Sequence, residues 1–134
     1  LVARKLMDGG DAAFALLDEV EQFTEAAREA CPALAEPLWE ATESLRETTE
    51  WMLAQDALNT RFAGAVPYLK AFARVLGGYV HLKAAITEQR KGSRTKLATV
   101  YMARLLPEHV SLLSEARVGD SDLYALSADE LASV

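Results

Sequence analysis

Four carboxylates, Glu40, Glu43, Glu47 and Glu50, recur at helical spacing and are the first residues in this chain whose type and pattern could carry acid–base or metal chemistry. Either role needs a partner, and no His or Cys stands within a turn of them, so they read as a solvated helix face. His81 and His109 each stand alone, with no His or Cys three or four residues away, and no metal site is expected. No Ser, Cys or Lys lies beside a base in a nucleophile pattern, and Gly77-Gly78 lacks the strand and the further glycines of a nucleotide-binding loop. In mid-helix that pair points to close helix approach, and with Trp51 and Tyr79 it marks a packing or interface region, as does Trp39. Arg90, Lys91, Arg94 and Lys96 surround one helix–helix turn and offer a candidate anion contact; basic residues there also simply complement a helix dipole. The sequence therefore names no catalytic residue, no cofactor-binding residue and no metal ligand.

Bulk properties narrow the classes further. The formal net charge is −6 and the pI about 4.9, a field that repels phosphate backbones and anionic lipid, so nucleic acid and membrane are disfavoured as partners. A lone Cys31 can form no internal disulfide, which fits a reducing, cytoplasmic setting. The most apolar stretch, Val75 to Leu82, is far shorter than the ~20 residues of a membrane span. With 134 residues, 51% of them hydrophobic, the chain can build one real core. It begins at Leu1 without an initiator Met or a signal-like apolar stretch, as a domain cut from a longer protein would.

Those side chains must be carried by helices, because apolar residues recur at three and four positions and no long segment alternates. The pattern predicts an all-α, antiparallel four-helix bundle over 11–119, with helices near 11–31, 35–57, 61–91 and 94–118. Residues 1–10 form a junction, and 120–134 form a tail in which Ser127 and Glu130 make a capping box for a short helical turn. Asp11 is expected to cap the first helix, whose inner stripe is Ala13, Leu16, Leu17, Val20, Phe23, Ala27 and Ala30. Pro32 and Pro37 bracket a turn before the second helix, with Leu38, Ala41, Leu45, Thr48 and Met52 inward. The third helix tolerates Pro67 in its first turns and should bury Val66, Leu69, Phe72, Ala73, Leu76 and Val80. Gly92 is expected as its left-handed C-cap, with Ser93 or Thr95 capping the next helix. That fourth helix carries Leu97, Val100, Tyr101, Leu105, Val110 and Leu113, with Pro107 as a kink.

Three segments resemble the carboxy-terminal extension of one branch of the acyl-CoA dehydrogenases, the group containing methylmercaptopropionyl-CoA dehydrogenases. They are Leu1-Val2-Ala3-Arg4-Lys5-Leu6 with Asp8-Gly9-Gly10, Ala63 to Leu69 continuing to Gly77-Gly78-Tyr79, and Lys96-Leu97-Ala98-Thr99 leading to Leu105-Leu106-Pro107. The family often has Gly where Ala3 stands. The likeness covers most of the chain and has no catalytic content.

The resemblance implies a parent enzyme that oxidises an acyl-CoA to the 2,3-enoyl-CoA with FAD, passing electrons to an electron-transfer flavoprotein. Its catalytic Glu, in a Tyr-Glu-Gly-Thr segment, would fall just upstream of Leu1, so none of Glu40 to Glu50 inherits that role. This chain would then be an inactive, flavin-free element that covers the dehydrogenase core and shapes contacts in a homo-oligomer. A competing reading is a helical interaction module that binds a protein partner or, against the acidic balance, nucleic acid.

Overall fold

The first hairpin shows how the sequence builds the bundle. In this computed structural model, which describes residues 10–55, 58–89, 91–118 and 128–133, helix α1 spans Asp11–Arg28 and α2 spans Pro32–Ala54. Arg46 of α2 reaches Asp18 at 2.6 Å and Glu21 at 2.9 Å, while Arg28 of α1 reaches Glu36 at 2.8 Å. Those pairs fix an antiparallel register. Asp11 does not cap α1: Gly10 takes that place with φ 75°, where a Cβ would meet Leu53 at 3.0 Å, and Asp11 sits exposed in the first turn.

The two prolines do not bracket a turn. Pro32 begins α2, where its missing N–H costs nothing, and the helix runs on through Pro37. Burial decides this: a helix from Pro32 puts Leu34 and Ala35 into the same core as Leu38, and this outweighs the hydrogen bond Pro37 cannot donate. All five expected inner residues of α2, Leu38, Ala41, Leu45, Thr48 and Met52, are buried. In α1, Leu17, Val20 and Ala27 are buried, but Ala30 lies beyond the helix end and is exposed.

Helix α3, Leu58–Thr87, is the central element and packs against every other helix of the bundle. It starts early enough that Pro67 stands in its third turn, where it is buried. Its inner face differs from the expected one. Val66, Leu69 and Val80 are 62%, 49% and 63% exposed, and Ala73 is exposed as well. Tyr68, Ala71, Val75, Leu82 and Ala85 are buried instead. The cause is a ridge of small residues seven apart, Gly64, Ala71, Gly78 and Ala85, against which neighbouring helices approach closely. A Cβ at Gly64 would overlap the Ala116 carbonyl, and one at Gly78 would meet Leu38 at 2.9 Å.

The segment after α3 forms two helices where one kinked helix is expected: α4, Ser93–Arg104, and α5, Glu108–Arg117. Pro107 cannot donate to the carbonyl four residues back, so the ladder opens there. Leu105 and Leu106 both donate to Tyr101 O, and His109 Nδ1 lies 2.7 Å from Leu106 O. The two helices follow one antiparallel path along α3, Tyr101 meeting Gly77, Glu108 meeting Arg74 at 2.9 Å and Ala116 meeting Gly64. Of the expected inner residues here, Tyr101 and Leu113 are buried, while Leu97, Val100, Leu105 and Val110 are 40% exposed or more. Ala98, Met102, Leu106 and Ala116 fill the core in their place.

The turn between α3 and α4 also departs from expectation. The left-handed residue is Gln89, φ 59°, and Gly92 is extended at the N-cap of α4. A final helix, α6, spans Ala128–Ala132; Ser127 of the expected capping box lies outside the described residues. The fold is thus an all-α helical bundle, with no strand among the described residues.

Candidate functional site

The buried polar groups serve the fold. Thr24, Thr42 and Thr49 lie wholly inside and each donates to the carbonyl four residues back, at 2.6, 2.7 and 2.8 Å. Thr49 also meets the Tyr68 hydroxyl at 2.6 Å, and burial pushes that phenol above its ordinary pKa. Among the described residues no buried side-chain N or O lacks a partner.

The four carboxylates of α2 split. Glu40, Glu47 and Glu50 are exposed, and Glu43 is half-buried across from Glu21 of α1. A hydrogen bond to Glu21, then desolvation and the Glu21 charge, raise the Glu43 carboxyl above its ordinary value. Arg46 answers this cluster: its hydrogen bond to Glu21 raises its own pKa against the cost of burial. The Glu21–Glu43 pair is a carboxylate pairing that spacing along a single helix does not reveal; it emerges only from the hairpin register. Among the described residues no group of three or more His, Cys, Asp and Glu is placed to hold a metal.

The glycine pair makes room, as its mid-helix position suggests. Gly77 lets the Tyr101 ring lie across α3, where its hydroxyl donates to Arg74 O at 2.7 Å and its ring stacks on His81 at 4.7 Å. Burial raises the Tyr101 pKa. Gly78 takes Leu38 and Leu106. Tyr79 sets its edge to Phe23 at 5.4 Å, with Lys83 Nζ 4.8 Å above its ring. Trp51 is half-buried beside the core, and Trp39 lies under Arg28 at 5.2 Å.

At the basic turn, the chain itself supplies an anion. Glu88 accepts from Thr95 N at 2.6 Å, Thr95 Oγ1 at 3.0 Å and Gly92 N at 3.2 Å, occupying the N-terminus of α4. Partial desolvation pushes its carboxyl up, but the Thr95 and Gly92 hydrogen bonds and the Arg94 charge outweigh that and hold it below the ordinary value. Lys91, Arg94 and Lys96 are exposed around it, and Arg90 lies outside the described residues.

Two clefts border α2. One, about 260 Å³, is lined by residues such as Ser44, Glu47, His109 and Arg117, and Arg117 Nε donates there to Thr48 at 3.2 Å. The other, about 360 Å³, lies between α2 and α4 and is mostly apolar, with Cys31, Leu34, Pro37 and Met102 in its walls. Each is smaller than a flavin dinucleotide, and neither has a glycine-rich loop for its phosphates. Neither cleft therefore fits that cofactor.

Against family models, residues 16–127, from within α1 to past the end of α5, match the family described as "Acetyl-CoA dehydrogenase C-terminal like". Neither a curated protein nor a solved structure matches the chain.

Proposed function

The chain belongs to the acetyl-CoA dehydrogenase C-terminal-like family, and from that premise we propose that it is the helical carboxy-terminal domain of a FAD-dependent acyl-CoA dehydrogenase. Within that parent it acts as a scaffold and subunit-contact element and contributes no catalytic residue. The match across residues 16–127, which takes in nearly the whole α1–α5 bundle, carries the reading. The way polar side chains are engaged within the fold, from Thr49 with Tyr68 to Glu88 with Thr95, supports a structural part.

We assign the parent the oxidation of an acyl-CoA to the 2,3-enoyl-CoA, in the methylmercaptopropionyl-CoA dehydrogenase-like branch. FAD, held by the dehydrogenase core, supplies the hydride acceptor, and an electron-transfer flavoprotein takes the electrons. The parent is a cytoplasmic homo-oligomer whose subunits meet partly through this domain. Deleting residues 11–118 from the parent tests the reading: subunit number and thermal stability should fall, and unchanged assembly, stability and turnover would defeat it. The isolated chain should purify colourless, with no flavin absorbance.

A further inference from the structure

Helix α3 is apolar on two opposite faces, and among the described residues only one of them is covered. A surface helix that is apolar all round calls for a second partner. The outer residues Val66, Leu69, Ala73, Leu76 and Val80 follow the alternating three–four spacing of a coiled-coil seam, with β-branched Val at both ends and Leu between. Val66, Leu69, Ala73 and Val80 are exposed, and Leu76 between them is half-buried, packed in part against the core. In the adjoining α4, Tyr101 is turned onto α3, while Leu97 and Val100 beside it are 57% and 52% exposed.

Charge says what kind of partner. Helices α3 and α4 contain seven Lys and Arg and no Asp or Glu, in a chain whose net charge is −6. Arg61 and Arg74 are engaged, by the Gln55 carbonyl and by Glu108. Lys70, Lys96 and Arg104 are exposed and make no ion pair among the described residues. Net charge hides this, because most of the acids gather on α1, α2 and beyond Pro107, while Glu88, between the two helices, is engaged by Gly92 and Thr95.

We propose that the outer face of α3, extended by α4, docks one amphipathic helix of a protein partner, apolar on its contact side and carrying Asp or Glu along its rims. This gives the scaffold-and-contact reading a surface and a partner chemistry, and rests on that reading. The seam has two apolar positions per heptad, a width that fits a helix, whereas an anionic lipid surface is met by a broader apolar arc. A second copy in the same orientation would bring two cationic layers together, an unfavourable pairing.

The test titrates the chain with a labelled helical peptide about three heptads long, with Leu at a and d and Glu at e and g, a rim too acidic to pair with itself. Saturable binding is expected, weakened about tenfold or more when salt rises from about 0.05 to 0.5 M. The same peptide with Lys rims should bind at least about tenfold more weakly. Leu69→Glu with Val80→Glu, both at exposed positions, should abolish binding. Lys70→Glu with Lys96→Glu, which alters no buried atom, should shift preference to the Lys peptide. The proposal is overturned by any of four results: no saturable binding, equal binding of the two peptides, undiminished binding by the Leu69→Glu/Val80→Glu variant, or phosphatidylglycerol vesicles captured in place of the peptide. Dimerisation of the chain through this face, abolished by the same variant, also overturns it. Absence of a dehydrogenase core from the parent would remove the scaffold-and-contact reading and leave these titrations standing; failed titrations remove only the seam.

Discussion

Replacing Gly77 with Ala sets two known effects against each other inside one helix. Helix propensity alone favours Ala by about 1 kcal/mol at a mid-helix position. The new Cβ, however, would overlap the Tyr101 hydroxyl and lie 2.7 Å from its Cζ. The ring has little freedom to yield, since its hydroxyl is bonded to Arg74 O at 2.7 Å and its face lies on His81. Forcing a methyl into such a contact costs about 1–3 kcal/mol, and stretching the hydrogen bond adds about 1 kcal/mol. The balance is a net loss of about 2 kcal/mol. Tyr101→Phe removes the worst obstacle and unties the ring, so Gly77→Ala should cost about 1 kcal/mol less in that background. Urea denaturation of the four proteins, followed by circular dichroism, gives the cycle; melting points should move by roughly 4 °C per kcal/mol at this chain length. A Gly77→Ala protein more stable than the wild type, or a coupling below about 0.5 kcal/mol, would refute the account of why glycine stands there.

Leu38→Ala should cost about 2–5 kcal/mol by chemical denaturation, because the side chain is wholly buried. It should also soften the penalty of Gly78→Ala, whose Cβ would otherwise meet Leu38 at 2.9 Å. Glu88 has a lowered folded pKa, so its stabilisation is present above the ordinary value of 4.5 and is lost as pH falls through the folded value. Glu88→Gln should therefore melt below the wild type at pH 7, with the gap closing on acidification. Glu43 has the opposite sign: its raised folded pKa favours folding at low pH, and that contribution is lost as pH rises through the folded value. Glu43→Gln should accordingly melt above the wild type at pH 7, with the advantage shrinking as pH falls through the raised folded value and gone below 4.5, the ordinary carboxyl value.

How far the sequence could be read depended on each helix's contrast. In α2 the acids on one face leave a single apolar stripe, and Leu38 through Met52 are inside as periodicity requires. In α3 no acid marks the outside, and side-chain size points to Val66, Leu69 and Val80, whereas close packing selects the opposite ridge of Gly and Ala. Periodicity weighs hydrophobicity; it cannot weigh how near another backbone will come. The same limit explains Leu97, Val100, Leu105 and Val110. Prolines gave mixed signals for a related reason: Pro107 breaks its helix, while burial of Leu34 and Ala35 carries α2 past Pro37. The close helix approach at Gly77-Gly78 was visible in the residues themselves. The Glu21–Glu43 pairing was not, because it joins two helices, and neither was the basic layer, which net charge averages away.

Gly64 and Gly77 also have a mechanical meaning. They lie about 20 Å apart along α3 at the helical rise, and each receives a projection from the returning arm: the Ala116 backbone at one end, the Tyr101 ring at the other. One peg in one notch permits rotation about itself; two pegs in two notches remove both rotation and sliding. The arm is jointed at Pro107, yet each half has its own close contact with α3, so sliding of either half along α3 is opposed. A push on the outer side of α3 would therefore reach the far side of the bundle as displacement, without being absorbed as slip between helices.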